Sequence, residues 1–562
     1  MVKNSQRGFT SMKRLMTIAS ALFVALVLLA GLAVGGVLAQ DYTIYWGDIH
    51  GHTSYSDDAY IIQKNMGLTP NPPVSAITYG KAALDFLSVT DHAEHTELYR
   101  DEKGNLILDG TGSPIPEWQG IINACLDREA NDPLVVFIGF EFTKTGEDAD
   151  GNDIEGSGHK CVLFKGSGVP SAPISSVRGE PTADAPFCDK PTDLWSLLDA
   201  GGYDYITIPH HPAKGTSAVI SPETDMSTDW DYVNSSRQQL VEIFSVHGSS
   251  DYSGCIDAVG GFRNERSVES ALNLWLTTGN SGYALGIIAS TDNHLSKPGS
   301  VDENENNMVH QEGDYTGGLI AALAPEKSGD AIWDALVSRR VYATTGPRIR
   351  INTFSVTAES VTYLMGQTVP LQGRESVPIT IDLDVETDTA DIDEIVITKS
   401  TIEDPSVQGK LSSGHPWITL TSASHALASL WSGRHAVLSV QDQVSSQRSY
   451  YRVTIYQKPT TRYTWTGLQY VNTLTRERAW SSPIFMDLTP PACPQCPGES
   501  GTLENVTFYS YSTCECVSDD PLTIGPGVKI ESKAVVTFQA PVVKLIPGFK
   551  ADSGAKVTIL VH

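Results

Sequence analysis

Short runs of β-branched and aromatic residues recur between Asp41 and about Ile349, each separated from the next by polar residues. Most runs are followed by a polar cluster and then by a stretch with helical periodicity, as at 192–200 and 330–339. This alternation predicts an α/β fold in which β/α units surround a parallel sheet or barrel. The predicted strands are YTIYW, ALDFLSVT, LVVFIGF, CVLF, YDYITI, QLVEIFSV and ALGIIAS.

After about Arg350 the pattern changes to strands that alternate with turn residues, as in SVPITIDLDVE and SYYRVTIYQ. This pattern predicts an all-β, sandwich-like domain over residues 351–489. The stretch PPACPQCPGESG is typical of a linker, and the regularly spaced short strands after it predict a small stacked or solenoid-like β module. We therefore expect a barrel over 43–350, the sandwich-like domain, and a Cys-containing linker with its β module over 490–562.

The N-terminus has the layout of an export signal. Four basic residues in the first fourteen positions precede an apolar run from about Thr17 to Val37, and the small side chains around Ala39 suit signal peptidase. We predict that residues 1–39 are a signal peptide and that the rest of the chain is secreted, periplasmic or held at the cell surface. A retained membrane anchor is the alternative, because about 20 apolar residues can span a bilayer.

The chain is strongly acidic, with a formal net charge of −27 at pH 7. This charge would repel nucleic acid and anionic membrane surfaces, so we expect neither as a partner. A small phosphate or carboxylate substrate stays open, because bound divalent cations dominate the electrostatic potential inside a site.

The eight cysteines fall into an early group of four and a late group of four. In an exported protein the default for cysteine is the disulfide bond. The late group also matches a four-thiolate zinc site superficially, but its C-x-C pair is more tightly spaced than such sites usually show. We predict disulfide bonds in the late group. The two groups are Cys125, Cys161, Cys188 and Cys255, then Cys493, Cys496, Cys514 and Cys516.

Ten of the fourteen histidines lie between residues 50 and 310, and most of them directly follow an apolar run. In GDIHGHTSYSDDA, His50 and His52 point to the same side of an extended segment, with Asp57 and Asp58 within reach. Four further runs end in the same kind of residue. They deliver Asp91 and His92, Glu141, His210 and His211, and Asp292 and His294.

In a parallel β/α architecture, residues at the carboxyl ends of the strands converge on one face. Imidazole and carboxylate are ligands of zinc, manganese and iron, and a carboxylate such as Glu141 can bridge two ions. Eight or nine candidate ligands predict more than one ion. Such ions make hydroxide available and polarise an ester oxygen, so the pattern predicts hydrolysis. The chain has no G-x-S-x-G motif, which leaves a serine hydrolase without support.

Several assignments stay open from the residues alone. His210 and His211 compete for one ligand position, because adjacent residues on a strand face opposite ways, and we favour His211. His159 precedes its apolar run, so its geometry is less defined. Asp91 is expected to orient an imidazole, and Asp58 to cap a turn. Three other residues are possible substrate or supporting groups, and a purely structural role is equally open for them. These are His95, Glu242 and His247.

The motifs IHGHTSYSDD, SVTDHAEH, GFEFT, GHKCVLF, PHHP and ASTDNH occur in this order and resemble the polymerase and histidinol phosphatase (PHP) superfamily. The resemblance implies a distorted seven-stranded β/α barrel with, typically, a three-metal site. Two positions depart from the superfamily pattern, namely the doubled histidine of PHHP and the doubled aspartate of YSDDA. The implied ligands are His50, His52, Asp57, His92, Glu141, His159, one of His210 and His211, Asp292 and His294.

Within the superfamily, ALDFLSVTDHAE, VEIFSVHG and DAIWDALVSRRVYATTGPRI resemble an exported branch of DUF3604-like proteins and carbaryl-hydrolase-like enzymes. We expect an exported, phosphoesterase-like hydrolase with two or three zinc, manganese or iron ions, in which metal-bound hydroxide attacks a small ester. Glu141, Asp57 and His211 are the predicted catalytic residues.

Two other functions stay open. The first is hydrolysis of a carboxyl or carbamate ester with the same metals, and the second is a non-catalytic surface protein that metals stabilise. The C-terminal module suggests contact with the cell surface or a glycan. The sequence leaves the substrate, the metal and the oligomeric state open.

Overall fold

The computed structural model describes residues 42–93, 117–127, 132–144, 157–176, 188, 190–215, 226–301, 317–371, 374, 376–401, 416–421, 428–445, 447–465, 470–489, 502–508, 513–518, 520–530 and 534–561. The predicted signal peptide at residues 1–39 lies outside this set. Among the residues described, no helix is long and apolar enough to cross a membrane.

The first half of the chain alternates strands and helices, which agrees with the predicted α/β pattern. Its strands are β1 (Thr43–Asp48), β2 (Phe86–Val89), β3 (Val135–Lys144), β4 (Gly158–Phe164), β5 (Tyr205–Pro209), β6 (Leu240–Ser245), β7 (Gly248–Ser249), β8 (Gly286–Ala289), β9 (Leu319–Ala324) and β10 (Val341–Thr344). Its helices are α1 (Asp57–Asn65), α2 (Pro73–Gly80), α3 (Glu117–Leu126), α4 (Pro191–Ala200), α5 (Val268–Thr278) and α6 (Gly329–Val337), with short 3₁₀ turns at Asn264–Arg266 and Ser281–Tyr283.

The second half of the described chain contains strands. Those up to residue 489 are β11 (Arg350–Ala358), β12 (Val361–Leu364), β13 (Thr368–Pro370), β14 (Val377–Glu386), β15 (Ile392–Thr401), β16 (Pro416–Thr421), β17 (Ala428–Ser432), β18 (His435–Val444), β19 (Arg448–Gln457), β20 (Thr460–Trp465), β21 (Tyr470–Thr475), β22 (Arg478–Ser481) and β23 (Ile484–Asp487). Nine short strands follow, namely β24 (Thr502–Leu503), β25 (Thr507–Phe508), β26 (Thr513–Val517), β27 (Leu522–Ile524), β28 (Lys529–Ile530), β29 (Val535–Ala540), β30 (Val543–Leu545), β31 (Lys550–Ala551) and β32 (Lys556–Val561).

The strands around the candidate site are not all parallel, which corrects the expected parallel sheet. β1, β2 and β3 are parallel neighbours, but β4 is antiparallel to both β3 and β5. The beginning of β4 therefore lies at the sheet edge where β3 and β5 end. This reversal explains why His159 precedes its apolar run and still lies at the same edge, directly opposite Thr143 of β3.

One sheet of thirteen strands contains the path β9-β1-β2-β3-β4-β5, while β6, β7 and β8 form a separate sheet in which β6 and β8 are parallel. The fold is therefore mixed α/β with a large sheet, and a closed seven-stranded barrel stays a prediction. The helices bury one face each. In α5, Val268, Ala271, Leu272, Trp275 and Leu276 are buried at helical spacing, between an N-cap at Ser267 and a left-handed Gly279.

The large sheet also crosses the predicted boundary near residue 350. It continues from β9 through β10 to β22, β19 and β23, and Tyr342 of β10 lies opposite Ser481 of β22. A buried apolar cluster joins Trp275 and Ile287 to Trp480 and Phe485, with the Trp275 and Phe485 ring centroids 4.7 Å apart. The α/β and all-β halves therefore share both a sheet and a core.

The β-rich region after residue 350 adds a five-stranded sheet with the order β12-β11-β14-β18-β17. Alternate residues of β14 are buried, as expected for a strand with one face on a core. These are Val377, Ile379, Ile381, Leu383 and Val385.

The last nine strands form three parallel sheets, β24-β27-β30, β25-β28-β31 and β26-β29-β32. Each successive group of three strands contributes one strand to each sheet, which is the arrangement of a β-solenoid with three turns. Side chains such as Phe508, Ile530 and Phe538 point inward and form a separate core.

The cysteines of the early group, Cys125, Cys161, Cys188 and Cys255, form no disulfide bonds. The sequence predicts disulfide bonds for the late group. In the late group, Cys514 and Cys516 of β26 are disulfide-bonded, whereas Cys493 and Cys496 lie outside the described residues. The pairing within this group stays a prediction.

Candidate metal centre

Backbone hydrogen bonds join two segments of the candidate site, one just after β1 and the other just after β8. The amide of Asp292 donates to the carbonyl of His50 at 2.9 Å, and the amide of His52 donates to the carbonyl of Asn293 at 2.8 Å. Asp48, at the end of β1, accepts hydrogen bonds from the amide and hydroxyl of Thr291. These contacts hold the His50–His52 segment against the Asp292–His294 segment.

Residues just after β2 and within β3 form the neighbouring part of the site. The amide of Glu141 donates to the carbonyl of Asp91 at 3.0 Å, which places Glu141 beside His92. The Asp91 carboxylate accepts a hydrogen bond from Ser56 Oγ at 3.1 Å, and Ser56 Oγ lies 2.9 Å from His52 Nδ1. Asp91 therefore positions the His52 imidazole through Ser56. This contact at Nδ1 leaves Nε2 of His52 facing the centre of the site.

Two imidazoles and two carboxylates meet at the centre. Nε2 of His50 and Nε2 of His52 lie 3.2–3.3 Å from both Glu141 Oε2 and Asp292 Oδ1. All four side chains are almost completely buried.

The second oxygen of Glu141 faces a different group. Glu141 Oε1 lies 2.9 Å from His159 Nδ1, 3.1 Å from His210 Nε2 and 3.5 Å from His92 Nδ1. It also accepts a hydrogen bond from Thr143 Oγ1 at 3.1 Å. Glu141 therefore has one oxygen directed at each of two imidazole groups, the geometry of a bridging carboxylate.

A third group forms around Asp58 on helix α1. Asp58 Oδ2 lies 2.9 Å from His294 Nε2 and 3.3 Å from His92 Nε2. The donor atoms of Asp58, His92 and His294 lie within 4.8 Å of one another and of a donor atom of His52.

Two further residues support the central group from outside. Glu242 Oε2 lies 3.0 Å from His50 Nδ1, which is the nitrogen opposite the one that faces Glu141. His247 Nε2 lies 3.1 Å from Asp292 Oδ2, and Lys214 Nζ lies 2.9 Å from His247 Nδ1. Carboxylate–imidazole pairs of this kind fix the tautomer and orientation of metal-binding histidines.

Two residues of the site have left-handed backbone conformations. His211 has φ 34° and Asp292 has φ 54°. Non-glycine residues pay a conformational cost there, and such strain clusters at functional sites. Which of His210 and His211 is the metal ligand stays a prediction, although the turn at His211 changes the geometry expected of two adjacent residues. Both lie beyond the end of β5, so strand alternation does not apply and both side chains line the cavity.

The charges of the site depend on these contacts. Burial would raise the pKa of Glu141, but the charges of His92 and His210 hold it well below its usual range. Burial would lower the pKa of His92, but Glu141 and Asp58 raise it to about 9. Burial lowers the pKa of His210 to about 3 and raises that of Glu242 to about 7. The group therefore combines anionic carboxylates with imidazoles of mixed charge.

The site opens into a cavity of about 330 Å³. Its wall contains three carboxylates, seven imidazoles, three apolar side chains and one lysine. The lining residues are His52, Asp58, Ile61, Ile62, His92, Glu141, His159, His210, His211, Lys214, Met226, His247, Asp292 and His294.

The donor set fits divalent metal ions. In a tetrahedral site with metal–ligand distances of about 2.0 Å, neighbouring ligand atoms lie about 3.3 Å apart, which matches the central group. Nε2 of His52 lies that close to two carboxylates, yet it has no hydrogen-bond partner among the described residues. The same holds for the buried nitrogens His159 Nε2 and His210 Nε2. Buried polar atoms are normally paired, so these nitrogens suit the role of metal ligands in their two groups.

The structure brings together most of the predicted ligands. These are His50, His52, His92, Glu141, His159, His210, His211, Asp292 and His294. The side chain of Asp57 and the whole of His95 lie outside the described part of the chain, so their roles stay predictions.

Sequence reasoning gave too little weight to three residues. Asp58 does not simply cap a turn, because its carboxylate lies between His92 and His294. Glu242 interrupts the buried run LVEIFS, the same signal that identified Glu141. Cys161 was not singled out, yet its donor atom groups with those of His50 and His210. Burial raises the pKa of the Cys161 thiol to about 12.

Three comparisons with known proteins complete the description. A family model described as a protein of unknown function, DUF3604, matches residues 263–411, which include Asp292 and His294. This match agrees with the predicted DUF3604-like resemblance over that segment. A comparison with curated proteins finds no match.

Among solved structures, the chain is similar to a two-domain protein from Bacteroides vulgatus, described as containing a predicted PHP-like metal-dependent phosphoesterase. The two chains share 14% sequence identity, the alignment covers 78% of this chain and 96% of that one, and the TM-score is 0.32.

Proposed function

We propose that this protein is a metal-dependent hydrolase that cleaves a phosphoester or a related small ester at a polynuclear, three-ion centre of the PHP type. The observation that carries the proposal is Nε2 of His52, which lies buried 3.2–3.3 Å from the carboxylates of Glu141 and Asp292 and has no hydrogen-bond partner in the described part of the chain. Two or three zinc, manganese or iron ions suit this donor set, because imidazole and carboxylate serve all three metals.

Three groups of side chains would hold the ions. His50, His52 and Asp292 form the first group, and Glu141 joins it to the second. The second group contains His159 and one or both of His210 and His211, and the third contains Asp58, His92 and His294. Asp57 stays a candidate for the third group.

Divalent ions at such a centre activate water and polarise an ester oxygen. The side chains of the protein orient and anchor this chemistry. Glu242 and Ser56 fix the rings of His50 and His52 so that their Nε2 atoms face inward. His211 lines the cavity and would exchange a proton with a bound substrate.

An open cavity supports catalysis over a purely structural role. Structural metal sites are closed by protein ligands, whereas catalytic sites leave room for water and substrate. Here the candidate ligands line a cavity of about 330 Å³, enough space for a small ester. Hydrolysis of a carboxyl or carbamate ester with the same residues is the second candidate. We also propose export through residues 1–39, which would expose the site outside the cytoplasm.

Elemental analysis and ester hydrolysis test the proposal together. Protein purified without chelator should contain two or three transition-metal ions per chain and hydrolyse 4-nitrophenyl phosphate in a metal-dependent way. His52→Ala and Asp292→Ala should lose metal and activity, whereas His435→Ala, at a partly exposed site on β18, should keep both. Full metal content and activity in the first two variants would show that the site is misassigned. One tightly held ion without turnover of any ester would favour the non-catalytic surface protein.

A further inference from the structure

We infer that Lys214 binds the negatively charged group of the substrate and so makes the site selective for anionic esters, phosphate monoesters above all, over neutral esters. The inference rests on the proposed function, because it names the substrate class of the same site.

The charge of the cavity wall supports binding of an anion by Lys214. Lys214 is the one lysine or arginine among the described residues that line the cavity, where it faces three carboxylates and seven imidazoles. The whole chain carries a net charge of −27, so a cation at the cavity counters the overall repulsion of an anionic substrate. A lysine at this position gives a phosphate a cationic contact that the protein itself supplies.

The ammonium group of Lys214 lies close to the candidate metal ligands. Lys214 Nζ lies 2.9 Å from His247 Nδ1, and His247 Nε2 lies 3.1 Å from Asp292 Oδ2. An ammonium group can only donate, so His247 accepts at Nδ1 and carries its own hydrogen on Nε2, toward Asp292. The imidazole thus holds the ammonium beside the candidate metal ligands.

The turn that carries Lys214 is held rigidly. The amide of Lys214 donates to the carbonyl of His211 at 2.8 Å, and the amide of Ala213 donates to Ser250 Oγ at 3.2 Å. A Cβ atom at Gly215 would lie 2.6 Å from the carbonyl oxygen of Gly261, so the chain passes too close there for any other residue. A preorganised cation loses little entropy when it binds an anion.

One short turn therefore delivers both candidate metal ligands and the proposed anion anchor, since His210, His211 and Lys214 all line the cavity. A phosphate monoester can contact the metal centre with one oxygen and the Lys214 ammonium with another. A neutral carboxyl ester has no anionic oxygen to offer. The difference predicts selectivity in binding more than in the chemical step.

The test compares Lys214→Met and Lys214→Arg with wild type. Lys64→Met is the matched control, because Lys64 is an exposed lysine of helix α1 that does not line the cavity. Metal content per chain is measured first. Binding of inorganic phosphate to the metal-loaded proteins is then measured by isothermal titration calorimetry, and kinetics are recorded with 4-nitrophenyl phosphate and 4-nitrophenyl acetate.

We expect Lys214→Met to weaken phosphate binding and raise KM for the phosphate ester by about tenfold to a hundredfold, with metal content and acetate hydrolysis unchanged. Lys214→Arg should restore part of the affinity, and Lys64→Met should match wild type. Unchanged phosphate affinity in Lys214→Met overturns the inference, and so does loss of metal from that variant. Failure of the proposed function looks different, because wild type would then lack metal or hydrolyse neither ester.

Discussion

Asp58 Oδ2 lies 2.9 Å from Nε2 of His294, although 236 residues separate the two in the chain. The contact joins helix α1, which follows the first strand, to the loop that follows β8. Burial would raise the pKa of Asp58, but the charges of His294 and His92 lower it. Asp58 is therefore an anionic partner of two imidazoles.

This contact predicts that Asp58→Asn removes one metal ion per chain and lowers kcat/KM by about 10- to 100-fold, because the amide cannot supply a charged ligand. The neighbouring variant Asp57→Asn separates the two aspartates of YSDDA. Metal analysis and steady-state kinetics decide between them. If Asp57→Asn loses the ion and Asp58→Asn keeps it, Asp57 is the ligand, as the superfamily resemblance implies.

Glu141→Gln should have a larger effect than any single histidine variant. Both oxygens of Glu141 face imidazole groups, so one substitution disturbs two groups at once. We expect loss of more than one ion per chain and a fall in kcat/KM of at least about a hundredfold. Glu265→Gln, at a largely exposed position, is the control. Wild-type metal content in Glu141→Gln would rule out a bridging role.

Glu242→Gln tests support from outside the central group. The Glu242 carboxylate lies 3.0 Å from His50 Nδ1, and an amide in its place holds the ring less firmly. Metal affinity should fall by about 10- to 100-fold, measured by competition with a chromophoric chelator. The number of ions bound at saturation should stay the same. A reduced number would instead make Glu242 a ligand.

Metal binding should strengthen as the pH rises from 6 to 9. In the metal-free site, neighbouring carboxylates raise the pKa of His92 to about 9, so its imidazole is protonated at pH 7. A metal ligand must be neutral, so binding releases this proton, and the competition weakens as pH approaches 9. Calorimetry in buffers of different ionisation enthalpy measures the protons released, and His92→Ala should release about one fewer. An affinity that does not change with pH would contradict the expectation.

Thiol counting tests the cysteine assignments. Without reductant, the denatured protein should show four reactive thiols, from Cys125, Cys161, Cys188 and Cys255, and eight after reduction. In the native protein at pH 8, Cys161 should react very slowly, because burial raises its pKa to about 12. Eight thiols before reduction would remove the evidence for disulfides in the late group.

Sequence reasoning located much of the site because its residues follow a general rule. Side chains at strand ends share one edge of a sheet, so His50, Glu141 and Asp292 could be grouped from their positions after apolar runs. The rule applies only in part to His159. Its motif pointed to the site, but the reversed direction of β4 that places it there depends on strand pairing, which local sequence does not encode.

Other features required the three-dimensional structure. The position of both His210 and His211 at the cavity depends on a backbone turn with a positive φ at His211, which no residue preference signals. Asp58 and His294 meet through the packing of α1, not through any local spacing. The β-rich region was recognisable from strand periodicity, but the pairing of β10 with β22 joins segments more than a hundred residues apart.

That pairing limits how the two halves could be exchanged between proteins. β10 is hydrogen-bonded to β9 on one side and to β22 on the other, so the α/β half has no finished edge at residue 350. A gene fusion that replaced everything after this point would leave Ala343 and Trp275 without their cover of Trp480 and Phe485. Recombination would have to transfer β19, β22 and β23 together with the site, which makes the two halves a single heritable unit.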